Sequence, residues 1–375
     1  MDAISVALSD RARRLVASSG LALAMLLTGC RHKCYVDPAG LSVDPSVNGV
    51  FEPGETVWVD PVWLFHSQFT GLEGCLSSNP CASGAPLALV ASSFTGPPGP
   101  TYTIVDGSAN YGVIPVGTFR SCAATGNCYR LSITAPGGRP AAHWDATFVE
   151  DLTGSSPLGW ISPLGMGALE PTTCPTIIHA PFTWTLHVGA SFADVSPSDG
   201  FYPFIENLFH HQVTAGCGDG NYCPAASIRR DQMSVFLLKA EHGFQYVPPP
   251  CSGLFVDVPC PGAFTDWVEE ISNEAVIQHC TDPNAFCPSA PVTRRDMALW
   301  LLKASLGGAY QPPPAQGIFG DVPVTDPNAA WIEDLYHHQI TAGCSASPLL
   351  YCPDNPNTRA QMAVFIDKTF AFALY

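Results

Sequence analysis

The chain has 375 residues, of which 46% are hydrophobic and only 13% are charged, and its formal net charge is −16. This length allows two or three domains with real cores, and the 36 prolines and 33 glycines indicate a turn-rich globular protein rather than a disordered one. The negative charge leaves no basic face for phosphates, so we expect no nucleic-acid partner.

Residues 1–29 are predicted to be an export signal. Residues 11–14 contain three arginines and precede an apolar stretch at 15–27, which is too short for a permanent transmembrane helix. The sequence Leu-Thr-Gly-Cys that ends at Cys30 resembles the bacterial lipobox, in which the cysteine is acylated and becomes the new N-terminus. Ordinary cleavage nearby is the alternative, and it would leave Cys30 as a thiol or a disulfide partner. We expect an exported protein, lipid-anchored in the bacterial cell envelope at the outer membrane or cell surface, with residues 30–34 as a tether.

The cysteine pattern is typical of disulfides in an exported protein. The chain has 15 cysteines, and lipidation of Cys30 would leave an even number. Structural zinc pairs usually stand two to four residues apart and come in fours, whereas the pairs in the C-terminal half are spaced more widely, which favours disulfides over metal. The neighbouring pairs are Cys75 with Cys81, Cys122 with Cys128, Cys217 with Cys223, Cys251 with Cys260, Cys280 with Cys287, and Cys344 with Cys352; the two cysteines that remain are Cys34 and Cys174.

Residues 35–189 are predicted to form an all-β, sandwich-like domain. Runs that alternate or are rich in β-formers occur at 56–59, 102–105, 129–133 and 182–188, and clusters of Gly, Pro, Asn and Asp separate them. No convincing helical period appears here, so a sandwich is the leading architecture. A disulfide between Cys34 and Cys174 would tie its two ends together.

The C-terminal half contains a threefold repeat with a period of about 64 residues. The motif Phe-x-Asp-Val begins at 192, 255 and 319, and each copy continues into a cysteine-bounded loop and an apolar segment led by arginine. A unit this short cannot bury its own apolar face and must dock on its copies. We number the copies unit 1 (residues 191–243), unit 2 (254–307) and unit 3 (318–373).

Each unit is predicted to contain two helices, one on either side of the loop. The second helix carries an apolar stripe at i, i+3, i+4 and i+7, which in unit 1 consists of Met233, Phe236, Leu237 and Ala240. The fold class that follows is multidomain α+β, with an all-β region followed by a mainly helical one. The first helices share an apolar pair: Ile205/Leu208, Val268/Ile271 and Ile332/Leu335.

The repeats resemble the S-layer homology (SLH) domain. The resemblance rests on Phe-x-Asp-Val, the amphipathic first helix, Val-Thr-Ala-Gly at 213–216, and Thr-Arg-Ala-Gln at 358–361, which is similar to the family's Thr-Arg-Ala-Glu signature. It covers residues from about 191 to 373, in three copies. It implies that the copies build one bundle with threefold pseudo-symmetry. It also implies non-covalent binding of cell-wall glycan or peptidoglycan in grooves between adjacent repeats, with the signature arginine contributing.

One arginine begins the second helix of every unit, at one margin of its apolar stripe. A planar guanidinium at that margin suits a carboxylate or ketal-acid group on a sugar. The alternative interpretation is that each arginine pairs with the aspartate of a Phe-x-Asp-Val motif. The candidate glycan-binding residues are therefore Arg230, Arg294, Arg359, Asp194, Asp257 and Asp321.

Three of the four lysines, Lys239, Lys303 and Lys368, lie at the opposite margin of the stripe. We interpret them as cations near a helix C-terminus, where the helix dipole favours positive charge. The other interpretation is that they serve a different groove or partner from the arginines.

The three copies are not identical. In unit 2, Gln278 and His279 replace the Ala-Gly of the other units, and that glycine is expected to supply a positive φ, so the sequence predicts a strained or rebuilt turn. Capping boxes are predicted at Thr293 and Thr358, but Arg229 occupies this position in unit 1, so its cap must come from elsewhere. The family's signature glutamate is replaced throughout. We expect fewer than three working grooves.

No catalytic or metal-binding motif stands out. The sequence lacks Gly-x-Ser-x-Gly, His-Glu-x-x-His and a phosphate-cradling glycine loop. The adjacent histidines at 210–211 and 337–338 point about 100° apart on a helix and do not chelate together, so we expect no metal and no cofactor. The predicted function is a non-enzymatic envelope protein that displays its β domain. The alternative is a surface adhesin or protein-interaction module in which the β domain binds and the repeats only scaffold.

Overall fold

The computed structural model describes residues 31–44, 48–70, 85–152 and 180–372. The signal peptide and the cysteines Cys30, Cys75, Cys81 and Cys174 lie outside these ranges, as does the side chain of Cys34. The predicted lipidation of Cys30 therefore stays a prediction. The same holds for two of the predicted disulfides, one between Cys75 and Cys81 and the other between Cys34 and Cys174.

The described part of the N-terminal region consists of nine strands in two antiparallel sheets. The strands are β1 (Arg31–Val43), β2 (Thr56–Thr70), β3 (Ala85–Thr95), β4 (Tyr102–Asp106), β5 (Ser108–Ile114), β6 (Phe119–Ser121), β7 (Tyr129–Ile133), β8 (Asp145–Leu152) and β9 (Phe182–His187). One sheet has the order β1-β2-β7-β4, with β6 also pairing with β2, and the other has the order β5-β3-β8-β9. β1 begins at Arg31, so it includes residues predicted as the tether.

The described residues of the two sheets share one apolar cluster. In β2, Val57 and Val59 are buried on either side of the exposed Trp58, which is the two-residue alternation of a strand with one face in a core. β7 contributes Leu131 and β8 contributes Phe148 to the same cluster. The two packed sheets confirm a β-rich N-terminal region.

A fully buried carboxylate, Glu150 of β8, lies inside this cluster. Its Oε1 accepts hydrogen bonds from the hydroxyls of Tyr111 (2.5 Å) and Tyr129 (2.6 Å), and its Oε2 accepts one from Trp184 Nε1 (2.6 Å). Burial raises the pKa of Glu150, although these donors act in the opposite direction. Buried polar groups are stable only when hydrogen-bonded, so the four side chains act as one unit that joins several strands.

Six α-helices occur in residues 180–372, two in each repeated unit. They are α1 (Tyr202–His210), α2 (Arg230–His242), α3 (Thr265–Asn273), α4 (Arg294–Leu306), α5 (Ala329–His337) and α6 (Arg359–Phe370). The predicted apolar pairs of the first helices and the stripe of α2 are all buried in one cluster that the three units share. A helical region after a β-rich one is the predicted α+β arrangement. Among the described residues, no helix combines the length and apolar composition needed to cross a membrane.

The helix caps follow the sequence prediction. The hydroxyl oxygen of Thr293 accepts a hydrogen bond from the N–H of Asp296 and so caps the N-terminus of α4. The hydroxyl oxygen of Thr358 caps α6 in the same way, with the N–H of Gln361 as donor. In unit 1 the N–H of Gln232 donates instead to Oδ1 of Asp231 (2.7 Å), whose carboxylate also binds the guanidinium of Arg229. The cap of α2 therefore comes from Asp231, as the replacement of the threonine required.

Five of the predicted disulfides are formed within the described residues. They are Cys122–Cys128, Cys217–Cys223, Cys251–Cys260, Cys280–Cys287 and Cys344–Cys352. Three of them close the loop between the two helices of a unit, and these loops have different lengths. The disulfide thus holds equivalent loop ends at the same positions while the loop itself varies.

Replacing Glu150 with leucine should lower the free energy of unfolding by about 3 kcal/mol or more, because three buried donors lose their acceptor and each costs about 1–3 kcal/mol. Chemical denaturation followed by tryptophan fluorescence measures this. Tyr129→Phe added to Glu150→Leu should cost less than Tyr129→Phe alone, since its hydroxyl is then already unpaired. Additive effects of the two substitutions would contradict the shared network.

Candidate functional site between the repeated units

The loop of each unit contains an aromatic residue whose backbone N–H donates a hydrogen bond to the aspartate of the same unit. In unit 1, Asp194 accepts hydrogen bonds from the N–H of Tyr222 (2.7 Å) and the N–H of Cys223 (2.8 Å). Units 2 and 3 repeat this geometry at 2.7–2.8 Å, with Asp257 on Phe286 and Cys287, and Asp321 on Tyr351 and Cys352. The aspartates of the Phe-x-Asp-Val motifs therefore set the shape of the loops.

The second cysteine of each loop has a left-handed backbone. Its φ is 59° at Cys223, 57° at Cys287 and 58° at Cys352, and this conformation costs an L-residue roughly 1–2 kcal/mol. The aspartate binds the N–H of this cysteine, and the disulfide holds its side chain. The two constraints together maintain a local conformation that the backbone alone disfavours.

The arginine of a neighbouring unit holds the same aromatic residue from its other side. Its Nε donates to the aromatic residue's carbonyl oxygen: Arg230 to Phe286 (2.8 Å), Arg294 to Tyr351 (2.8 Å) and Arg359 to Tyr222 (2.7 Å). These contacts run from unit 1 to unit 2, from unit 2 to unit 3, and from unit 3 back to unit 1. We call them joint 1–2, joint 2–3 and joint 3–1; together they close a cycle.

Each guanidinium also lies within cation–π distance of two aromatic rings of the unit that it contacts. In joint 3–1, Cζ of Arg359 is 4.7 Å from the ring centroid of Tyr222 and 5.5 Å from that of Phe236. The corresponding pairs of rings are Phe286 and Trp300 around Arg230, and Tyr351 and Phe365 around Arg294. Burial lowers the pKa of all three arginines, but a guanidinium stays charged in a protein. Cation–π contact compensates part of the lost hydration.

A cycle of backbone hydrogen bonds lies where the three second helices begin. The N–H of Ile228 donates to Asn357 O (3.0 Å), that of Asn357 to Val292 O (2.8 Å), and that of Val292 to Ile228 O (2.9 Å). Each of these residues stands two positions before the arginine of its unit, so all three arginines leave a common centre and extend toward the next unit. The side chains of the three residues are fully buried.

The sequence alone also allows a direct ion pair between each arginine and the aspartate of a Phe-x-Asp-Val motif. Within the described structure, each aspartate instead binds the N–H of the aromatic residue, and each arginine binds its carbonyl oxygen. The two charges therefore act on opposite sides of one loop residue. The role of these six residues in glycan binding stays a prediction.

The turn after the first helix differs between the units in the way that the sequence predicted. Gly216 and Gly343 have φ of 86° and 85°, and a Cβ at either would lie 2.4 Å from a backbone oxygen of the loop. His279 does not adopt this left-handed conformation. The turn of unit 2 is therefore rebuilt.

The rebuilt turn changes the contacts of one arginine. Nη2 of Arg230 donates to the carbonyl oxygen of Gln278 (2.6 Å), so joint 1–2 uses two of its guanidinium nitrogens. Nη2 of Arg294 and Nη2 of Arg359 are buried and have no hydrogen-bond partner among the described residues. Joints 2–3 and 3–1 therefore each retain a charged donor with unused capacity.

All three repeated lysines lie in the last turn of the second helix of their unit, as interpreted from the sequence. Nζ of Lys239 donates to a backbone carbonyl just beyond α1 (3.3 Å), and Nζ of Lys303 donates to one just beyond α3 (3.1 Å). Each also lies over a tryptophan of the next unit, Trp267 and Trp331 respectively, about 6 Å from the ring centroid. Lys368 is exposed.

The aromatic residues of the joints were not identified as site residues from the sequence. A usable signal was present, because an aromatic residue directly precedes the second cysteine in all three loops. The role of this aromatic residue depends on which unit supplies the arginine that contacts it, and a pattern within one loop does not contain that information.

The comparison with protein families identifies one S-layer homology domain at residues 191–234. The matched segment covers the first helix, the loop and the start of α2, and it includes Asp194, Tyr222 and Arg230. At the level of this family, the domain is a module for non-covalent attachment to cell-wall polymers and for association with the cell surface or envelope. No curated protein matches the chain.

Asp321→Ala should lower the free energy of unfolding by about 2–4 kcal/mol, because Tyr351 and the left-handed Cys352 each lose a charge-assisted hydrogen bond. Asp354→Ala is the matched control. Its exposed carboxylate pairs with Arg295 at the surface and should cost less than about 1 kcal/mol. Denaturant unfolding followed by the helical circular-dichroism signal compares them, and equal losses would contradict the structural role of the aspartate.

Proposed function

We propose that the three units are SLH repeats in one threefold pseudo-symmetric bundle, and that the bundle binds cell-wall glycan or peptidoglycan non-covalently. In this proposal the protein is not an enzyme. A lipid on Cys30 attaches its N-terminus to the membrane, and the β region is displayed between the two attachments. The family match in unit 1 supports the assignment, and the recurrence of the same aspartate, aromatic and arginine contacts extends it to units 2 and 3.

The proposal depends mainly on the unused Nη2 groups of Arg294 and Arg359. A buried charged donor without an acceptor costs more than the roughly 1–3 kcal/mol of a neutral one. An acceptor oxygen on a ligand would remove this cost and would form a charge-assisted hydrogen bond. Because both nitrogens are buried, a neighbouring side chain must move for a ligand to reach them.

The charge distribution favours an anionic group on the polymer. The protein carries a net charge of −16, so a carboxylate or ketal acid is attracted only where a local cation outweighs the surrounding field. The arginine joints supply that cation. Joint 1–2 is the weakest of the three candidates, because the Gln278 carbonyl already occupies Nη2 of Arg230.

Co-sedimentation of the full chain with purified sacculi tests this function. Arg294→Lys and Arg359→Lys should each weaken binding by about tenfold or more. Lysine keeps the charge, but it lacks the planar guanidinium, in which one nitrogen binds the loop carbonyl while another binds the ligand. Arg230→Lys is the matched control, because it loses the same loop contact but no unused donor. Its binding should change less than about threefold.

The unfolding midpoints of the three variants must be measured alongside. All three lose the Nε bond and Arg230→Lys also loses the bond to Gln278, so we expect its decrease to be at least as large as the other two. Sacculi stripped of their accessory polymers distinguish peptidoglycan from an attached glycan as the ligand. The proposal is wrong if the full chain stays in the supernatant, or if the three variants lose binding equally. The first outcome would favour the adhesin alternative, in which the β region binds and the units only scaffold.

A further inference from the structure

A cluster of two histidines and one aspartate lies where the β region meets the first helix of unit 1. Asp145 begins β8 and His187 ends β9, and the two residues face each other in the strand register. His210 is the last residue of α1. Oδ1 of Asp145 is 2.6 Å from Nδ1 of His187 and 3.8 Å from Nδ1 of His210. Three segments distant in sequence thus direct nitrogen and oxygen ligand atoms to one point, within 4.8 Å of one another.

The two imidazole rings lie side by side and face the same carboxylate. The rings of His187 and His210 are stacked, with centroids 4.6 Å apart and planes at 25°. Nδ1 of each ring faces the same carboxylate oxygen. A small pocket lined by His187, Glu206 and His210 adjoins the rings.

His210 is the unexplained member of the cluster. Its side chain is only 3% exposed, and neither ring nitrogen has a hydrogen-bond partner in the part of the chain that the structure describes. A buried polar group in this state is costly unless something binds it. The equivalent residue of unit 3, His337, is exposed, so burial by the β region distinguishes His210 from its counterpart.

Glu206 supplies the arrangement expected behind a metal-binding imidazole. Its Oε2 lies 3.6 Å from Nε2 of His210, the ring nitrogen that does not face Asp145. Ser191 holds the carboxylate by its N–H (2.8 Å) and its hydroxyl (2.6 Å). Histidines that bind a metal through one nitrogen usually direct the other N–H to a carboxylate or carbonyl, which fixes the tautomer.

We propose that Asp145, His187 and His210 bind a divalent transition-metal ion of the Zn²⁺ class, which connects the β region to the first helix of unit 1. Tetrahedral coordination with bonds of about 2.0–2.1 Å places ligand atoms about 3.3 Å apart. The 2.6 Å and 3.8 Å separations lie on either side of this value, so small side-chain shifts are sufficient. The proton that Nδ1 of His187 and Oδ1 of Asp145 share in their hydrogen bond is released to solvent when the ion binds. Two imidazoles with one carboxylate select Zn²⁺ over Ca²⁺ or Mg²⁺, which prefer oxygen ligands.

The cluster also allows access to the ion. The side chain of Asp145 is 45% exposed and that of His187 is 21% exposed, so an ion can enter from solvent and retain a water as its fourth ligand. Adjacent histidines on one helix do not chelate together. His210 instead meets ligands from β8 and β9, which only the fold brings close.

Calorimetric titration of the chelator-treated full chain with Zn²⁺, in a form without a histidine tag, tests the proposal. One high-affinity site should be found, and Asp145→Asn and His210→Gln should each weaken it by about tenfold or more, the loss typical of a metal site that is deprived of a supporting group. His337→Gln, the exposed counterpart, should leave it unchanged. Co²⁺ added in place of Zn²⁺ should give the visible absorption of a four-coordinate site with nitrogen ligands, and this absorption should be lost in Asp145→Asn.

Absence of a high-affinity Zn²⁺ site in the wild-type chain would overturn the proposal, as would unchanged affinity in Asp145→Asn. If His210→Gln fails to fold by circular dichroism, Asp145→Asn decides alone, since its half-exposed side chain can be replaced without leaving a cavity. A site lost equally in His337→Gln would place the ion elsewhere and would also reject the assignment.

Discussion

The helical region depends on one repeated interaction, in which a single aromatic residue is held from both sides by charged groups. Its N–H binds the aspartate of its own unit, and its carbonyl oxygen binds the arginine of the preceding unit. Hydrogen bonds to charged groups contribute about 1.5–3 kcal/mol each, and loss of one partner leaves the other buried and unsatisfied. Replacing either the aspartate or the arginine would therefore weaken the hold on the aromatic residue, and this constraint accounts for the recurrence of both residues in all three units.

The closed order of the joints gives the region a property that open repeat arrays lack. In an open array the terminal repeats expose an unpaired face and need special capping sequences. Here unit 3 contacts unit 1 through Arg359, so every unit both supplies an arginine and receives one. The backbone cycle at Ile228, Val292 and Asn357 reinforces the same closure. The three units share one scaffold, but their joints are not equivalent. The rebuilt turn at His279 brings the Gln278 carbonyl to Nη2 of Arg230, which therefore has a hydrogen-bond partner in joint 1–2.

Local features of this fold could be predicted from the sequence, and features that join distant segments could not. The apolar stripe of α2, the threonine caps and the neighbouring cysteine pairs depend on spacings of a few residues, which a sequence displays directly. The partner of Arg359 is 137 residues away, and nothing in its local sequence indicates that a carbonyl oxygen rather than an aspartate accepts its hydrogen bond. His210 illustrates the same limit, because its neighbours in β8 and β9 are unrelated to its position on the helix.

A crystal structure with a bound cell-wall oligosaccharide would test the proposal that the joints with an unused arginine nitrogen bind the cell-wall polymer. The proposal predicts ligand density at joint 2–3 or joint 3–1, with an acidic oxygen within hydrogen-bonding distance of Nη2 of Arg294 or Arg359. It also predicts that joint 1–2 stays empty at the same ligand concentration. Density confined to the β region, or equal occupancy at Arg230, would contradict it.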